Sequence, residues 1–219
     1  MGAPSYRAAA NAALITLAAS SLATPALAAE ASTINAADTA WMIVATALVL
    51  MMTIPGLALF YSGMVRKKNV LATMAQSLAA VAMISILWVT FGYSLAFVGD
   101  GPWIGTLDRW FLIGMTMDSV NPAAKTIPEA RFMLYQMTFA IITVALVAGA
   151  VADRMRFSAY LLFSAGWFMF AYVPLAHWVW GGGFLATMGV LDFAGGLVVH
   201  LSAGIGGLVV LPLQLLALP

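Results

Sequence analysis

The sequence has no cysteine and very little charge. Of 219 residues, nine are lysine or arginine and eight are aspartate or glutamate, so that charged residues make up 8%, against about 25% in an ordinary soluble domain. The absence of cysteine excludes disulfides and thiol chemistry. The net charge of +1 gives no electrostatic basis for binding nucleic acid. A surface so poor in charge is solvated by lipid, which excludes a soluble fold.

Sequence motifs of enzyme active sites are also missing. The chain contains no GxSxG, no HExxH and no phosphate-binding loop. Its two histidines, His177 and His200, stand 23 positions apart, which is not a usual spacing of metal ligands. We therefore expect a protein that is not an enzyme and that has no cofactor and no metal site.

Apolar residues, in contrast, make up 63% of the chain. Five stretches are long enough to cross a bilayer, which takes about 20 residues of helix. They lack the strict alternation of barrel strands, and only helices or closed barrels satisfy their backbone polar groups in lipid. We predict an all-α integral membrane protein, a polytopic helical bundle with spans at about residues 39–64, 70–97, 132–152, 157–179 and 193–218.

The N-terminal segment has the pattern of a secretory signal peptide. Arg7 lies in a short basic region, residues 8–22 form an apolar stretch, and residues 25–28 read PALA, an A-x-A type cleavage site. The alternative is an additional transmembrane helix. We predict a signal peptide at residues 1–28, a short periplasmic segment at 29–38 and a transmembrane domain at 39–219.

Basic residues in the short connections predict the orientation. Arg66, Lys67 and Lys68 lie between the first and second spans, and Arg154 and Arg156 lie between the third and fourth. Short loops rich in lysine and arginine face the cytoplasm. We expect a multi-pass protein of the bacterial inner membrane, with its mature N-terminus outside.

A few polar or aromatic residues near the spans have two interpretations each. Asp192 either caps a helix or serves a pathway, since charged groups in spans usually face a cavity. His200 is either a hydrogen-bonded core histidine or a pore-lining one. Trp180, which precedes three glycines, either belongs to the interfacial belt or holds a cation over its ring. For His177, in the same aromatic stretch, we favour packing or snorkelling.

Five segments together resemble the ammonium transporter family. They are residues 55–63 (PGLALFYSG), 65–71 (VRKKNVL), 87–97 (LWVTFGYSLAF), 174–183 (PLAHWVWGGG) and 191–200 (LDFAGGLVVH). They occur in the family's order and at its spacing. The resemblance implies that the chain holds one of the two inverted five-helix repeats of such a transporter.

The resemblance also implies roles for individual residues. Trp180, Phe139 and Tyr135 correspond to the aromatic residues that recruit ammonium at the outer surface, and Phe139 also to a ring that gates the pore. Asp192 corresponds to an aspartate that supports this site, and His200 to the first of two pore histidines. The implied function is transmembrane transport of ammonium, with deprotonation and passage through a hydrophobic, histidine-lined pore.

The implied partners are ammonium or methylammonium as substrate, membrane lipid, a homotrimer of the chain and, for a full-length form, a cytoplasmic nitrogen-regulatory signalling protein. Two alternatives remain: a nonconducting subunit for nitrogen sensing or assembly, and a gas channel of the Rhesus type.

The chain departs from the family pattern after Leu208. It reads VVLPLQLLALP from residue 209 and ends without the basic anchor of the family. We interpret this as truncation, by biology, by a frameshift or by an error in the gene model. Because the second repeat and its pore histidine would then be missing, we expect the chain alone to be inactive.

Overall fold

A computed structural model describes residues 34–216 of the protein. Within that range every regular element is a helix, as the sequence predicts. The predicted signal peptide lies outside the described residues. We label the helices α1 to α6 in chain order.

Among the described residues, four helical segments are long and apolar enough to cross a membrane: Ala36–Met64, Lys67–Phe97, Glu129–Val151 and Phe157–Thr187. The first three are α1, α2 and α3. The fourth comprises α4, which ends with the segment Val173–Val179, and the short helix α5, Phe184–Thr187. The last helix, α6, begins with the π-helical turn Gly196–Leu201 and continues as Ser202–Leu216. Its apolar part, Gly196–Pro212, is shorter than the other four segments.

The helix α3 is the centre of the bundle and packs against α1, α2 and α6. Its middle is almost completely buried, with Thr138, Ala140, Thr143 and Val144 each at most 1% exposed. Small and β-branched side chains at these positions let neighbouring helices approach closely.

A cluster of aromatic rings joins α2 to α4. Trp88 is fully buried, and its ring lies edge-on against Phe97 and Phe168, at centroid separations of 6.1 and 6.3 Å. Its indole Nε1 donates a hydrogen bond to the carbonyl oxygen of Met133 on α3, at 3.2 Å. Because a buried indole needs an acceptor, this contact fixes the ring among three helices.

The connections lie at two opposite ends of the bundle. The connection 98–128, the segment 180–195 and the start of α1 share one end, where the amide of Asn35 donates to Thr126; we call it the Trp180 end. The connections 65–66 and 152–156 share the other, where Arg66 contacts Asp153; we call it the Asp153 end.

Candidate functional site

Four separate parts of the chain meet around one cavity at the Trp180 end. The cavity, which we call the vestibule, has a volume of about 610 Å³ and is lined by α3, by the residues around Trp180, by the segment before α6 and by Ala123 of the connection 98–128. Tyr135, Phe139, Trp180 and Asp192 all line it. The structure thus brings together four of the five residues that the resemblance selects.

The aromatic residues form an edge-to-face chain along one side of the vestibule. The rings of Tyr135 and Phe139 are 5.0 Å apart at 79°, and those of Phe139 and Trp180 are 5.8 Å apart at 71°. All three residues line the cavity. A ring face carries partial negative charge and attracts cations.

Trp180 is held by its indole nitrogen. Nε1 donates a hydrogen bond of 2.7 Å to the backbone carbonyl of Asp192, which fixes the ring against the segment that enters α6. The glycines after Trp180 allow this placement. A Cβ on Gly181 would lie 1.9 Å from the carbonyl oxygen of Ala96, so that only glycine permits the backbones to approach so closely.

The carboxylate of Asp192 caps α6. Its Oδ1 accepts from the amide of Gly196 at 2.8 Å, and its Oδ2 accepts from those of Leu197 and Val198 at 3.0 and 2.9 Å. These three amides have no acceptor within the helix, because they belong to its first turn. Of the two interpretations of Asp192, its contacts in the structure are those of a helix cap.

This cap explains why α6 begins three residues later than the sequence suggests. The apolar run starts at residue 193, but the backbone between Asp192 and Gly196 must loop around the carboxylate. Gly195 makes that loop with a left-handed φ of 78°. A side chain there would also be 2.7 Å from Val199.

His200 lies apart from the other four residues. It is exposed and lines a second cavity of about 440 Å³ together with Tyr61, Gly204 and Leu208. Its Nδ1 is 3.1 Å from the carbonyl oxygen of Gly195. Since a carbonyl only accepts, Nδ1 carries the proton in the neutral ring, and Nε2 is then an acceptor.

His177 does not line the vestibule. It is fully buried, and its two ring nitrogens lie 3.0 and 2.6 Å from the carbonyl oxygens of Ala96 and Gly101. It thereby joins α4 to the end of α2 and to the following connection. Of the two uses that we favoured, packing agrees with this environment, whereas snorkelling requires an accessible ring.

Among the vestibule residues that sequence reasoning missed is a polar one, Gln136. It lines the cavity beside Tyr135 and Phe139. Phe132 lines it too, and positions 132, 135, 136 and 139 have the spacing of one helix face. A search for helical spacing that included polar as well as aromatic residues would have identified Gln136.

A buried polar network supports the same end of the bundle. Glu129, 3% exposed, accepts from the hydroxyl of Tyr93 at 2.9 Å and pairs with Arg109, whose Nη2 is 3.3 Å from Oε2. Asn121 donates to the Tyr93 hydroxyl at 3.0 Å and to the carbonyl of Phe97 at 3.1 Å. These contacts tie the long connection to α2 and α3, and a buried carboxylate is retained because it is paired.

The helices and the vestibule define a multi-pass membrane protein with an aromatic cavity at one end of its helical bundle. The sequence profile described as the Ammonium Transporter Family matches residues 40–213, and the chain belongs to that family. It is similar to an ammonium transporter of Bacillus subtilis (52% identity over 172 residues, 78% of this chain and 42% of the relative). It is also similar to a putative ammonium transporter of Methanothermobacter thermautotrophicus (50% over 175 residues, 80% and 43%).

Among solved structures, the chain is similar to that of Candida albicans Mep2, with a TM-score of 0.72 and 37% identity over 80% of this chain and 38% of the other. This likeness confirms the predicted all-α membrane fold. The chain spans less than half the length of the curated relatives that it matches.

Proposed function

We propose that this chain functions in transmembrane ammonium transport and that the vestibule is where the cation is recruited. The observation that supports this most is the convergence of Tyr135, Phe139 and Trp180 on one cavity. Ammonium held over an aromatic face gains about 0.5–2 kcal/mol, and more where water is excluded.

The charge at this end favours a cation. Six carboxylates and three basic side chains give the described residues of the Trp180 end a net charge of −3. Such a field raises the local cation concentration. The residues are Asp38, Asp100, Asp108, Asp118, Glu129 and Asp192, with Arg109, Lys125 and Arg131.

In this proposal Asp192 is a structural support. Its oxygens are occupied by three backbone amides, so it places the carbonyl that holds Trp180 and contributes charge without direct contact with the cation.

The apolar path beyond the vestibule penalises the charged form of the substrate by several kcal/mol. Ammonium therefore transfers a proton to water in the vestibule on entry, and ammonia passes through. His200, with Nε2 as an acceptor, offers a polar contact on this path. A dehydrated potassium ion has no N–H group to donate, which favours ammonium and methylammonium over potassium.

We further propose that the Trp180 end lies outside the cytoplasm in the bacterial inner membrane, with the mature N-terminus on that side. The basic connections at the Asp153 end support this orientation. A homotrimer, and binding of a nitrogen-regulatory signalling protein, are the assemblies that the family suggests.

The test is uptake of labelled methylammonium by proteoliposomes containing the full chain. Because the sequence predicts that the chain alone is inactive, saturable uptake that ammonium inhibits and equimolar potassium does not would overturn that expectation and support transport by this chain. Trp180→Leu should raise the half-saturating concentration about fivefold, the equivalent of about 1 kcal/mol.

Trp178→Leu is the matched control, because its indole donates to the carbonyl of Trp103 and does not line the vestibule. Equal effects of the two substitutions would contradict the recruitment role. Binding of ammonium to the purified chain without any saturable uptake would agree with the expected inactivity of the chain alone, or with a nonconducting sensing subunit.

A further inference from the structure

The two connections at the Asp153 end are joined into one surface. Arg66 Nε lies 3.4 Å from Asp153 Oδ2, and Asn69 Nδ2 donates to Asp153 Oδ1. Asp153 adopts a left-handed backbone conformation with φ of 64°, which turns its side chain toward the other connection. Residues 65–69 and 152–156 therefore form a continuous patch, which we call the basic patch.

The basic patch has a strong excess of positive charge. It contains Arg66, Lys67, Lys68, Arg154 and Arg156, all exposed, and a single carboxylate, that of Asp153. Its net charge is +4. The contacts with Asn69 and Arg66 lower the pKa of Asp153, so this carboxylate stays ionised and is already engaged within the patch. Four basic side chains are left to interact with an external anion.

Exposed apolar side chains adjoin the basic patch. Met64 and Leu71 flank residues 65–69 and are 63% and 79% exposed, and Phe157, which is 46% exposed, follows Arg156 directly. Apolar side chains on a membrane-spanning helix belong in the hydrocarbon layer, and basic side chains one turn beyond them reach the headgroup layer. The patch thus lies at the depth of lipid phosphates.

We propose that the basic patch binds the headgroups of anionic phospholipids. The charge is of the complementary sign, and the adjoining apolar side chains contact the acyl chains of the same molecules. A soluble acidic partner fits less well, because it would leave Met64, Leu71 and Phe157 uncovered. The proposal is independent of the ammonium pathway, since none of these residues lines the vestibule.

The experiment titrates the full chain, in neutral detergent micelles at low salt, with phosphatidylglycerol or with phosphatidylcholine of the same acyl chains. The readout is the midpoint of thermal unfolding, which rises when a ligand binds the folded state. We expect a larger rise with phosphatidylglycerol, and loss of the difference at about 1 M salt, where charges are screened beyond about 3 Å.

The test variant combines Lys67→Gln, Lys68→Gln, Arg154→Gln and Arg156→Gln, which leaves the contact between Arg66 and Asp153 intact. Each lost charge should weaken the apparent affinity for phosphatidylglycerol about fivefold at most, and the four together at least tenfold.

The matched control neutralises Lys125 and Arg131, two exposed basic residues at the Trp180 end; it should keep the preference for phosphatidylglycerol. If the variant with four substitutions does not fold, two double variants are tested separately: Lys67→Gln with Lys68→Gln, and Arg154→Gln with Arg156→Gln. Unchanged affinity in these variants would overturn the proposal. So would equal responses to the two lipids, or the same stabilisation by inorganic phosphate alone.

Discussion

Replacing Asp192 by asparagine tests whether the carboxylate holds the entrance of α6. In the native chain Oδ1 accepts from one amide and Oδ2 from two, at distances of 2.8 to 3.0 Å. Asparagine has one acceptor oxygen, so even its best rotamer keeps two of the three contacts and turns an NH₂ group toward the third amide. It also removes the negative charge that complements the helix dipole.

From these losses we expect Asp192→Asn to lower the free energy of unfolding by about 1 kcal/mol. Asp192→Ala, which loses all three contacts, should cost about 2 kcal/mol. The figures are moderate because Asp192 is only half-buried and water replaces part of what is lost. Reversible unfolding in mixed detergent micelles, followed by circular dichroism, measures both values.

The control is Asp118→Asn, which makes the same change of charge at an exposed position of the connection 98–128. We expect it to change stability by less than about 0.5 kcal/mol. If Asp192→Asn behaves like this control, the three amide contacts do not stabilise α6, and the cap is not the reason for its late start.

Three further predictions use the same unfolding measurement. Gly195→Ala should lower the free energy of unfolding more than Gly182→Ala. Both residues have a positive φ, which costs about 1–2 kcal/mol with a side chain, but only at Gly195 would a Cβ also meet Val199, at 2.7 Å. Equal losses would show that the contact with Val199 adds nothing to the cost. The lowered pKa of Asp153 predicts that its contacts with Asn69 and Arg66 stabilise the fold above about pH 4, near the usual pKa of an aspartate, and that this stabilisation is lost as the pH falls further. Asp153→Asn should remove that part of the pH dependence of stability. An unchanged dependence of stability on pH would contradict this. His177→Ala should cost about 3 kcal/mol, because it leaves a cavity and removes the ring N–H that a backbone carbonyl oxygen, of Ala96 or of Gly101, accepts. A loss below about 1 kcal/mol would show that the ring does not hold α4 to the end of α2 and to the following connection.

The sequence alone shows that the apolar segments form membrane-spanning helices and that successive helices run in opposite directions. Apolar runs of sufficient length require helices in lipid, and the basic connections and the motif around Trp180 follow from residue order alone. The start of α6 could not be read in this way. Hydropathy places it at residue 193, where the apolar run begins, but the amides of its first turn need the carboxylate of Asp192, and that contact sets the boundary at Gly196.

The meeting of side chains at the vestibule was decided by tertiary structure. Phe139 lies on α3, Trp180 follows α4, and Asp192 precedes α6, so their proximity depends on how the three helices pack. The contacts of His177 could not be read from the sequence either. The two carbonyl oxygens beside its ring lie 81 and 76 residues away along the chain, and its neighbours in sequence suggest only an aromatic belt. Local sequence determines which segments are helical and which side chains are cationic, aromatic or acidic. Packing alone determines which of them share a cavity, because burial and hydrogen bonding there join residues that are distant in the chain.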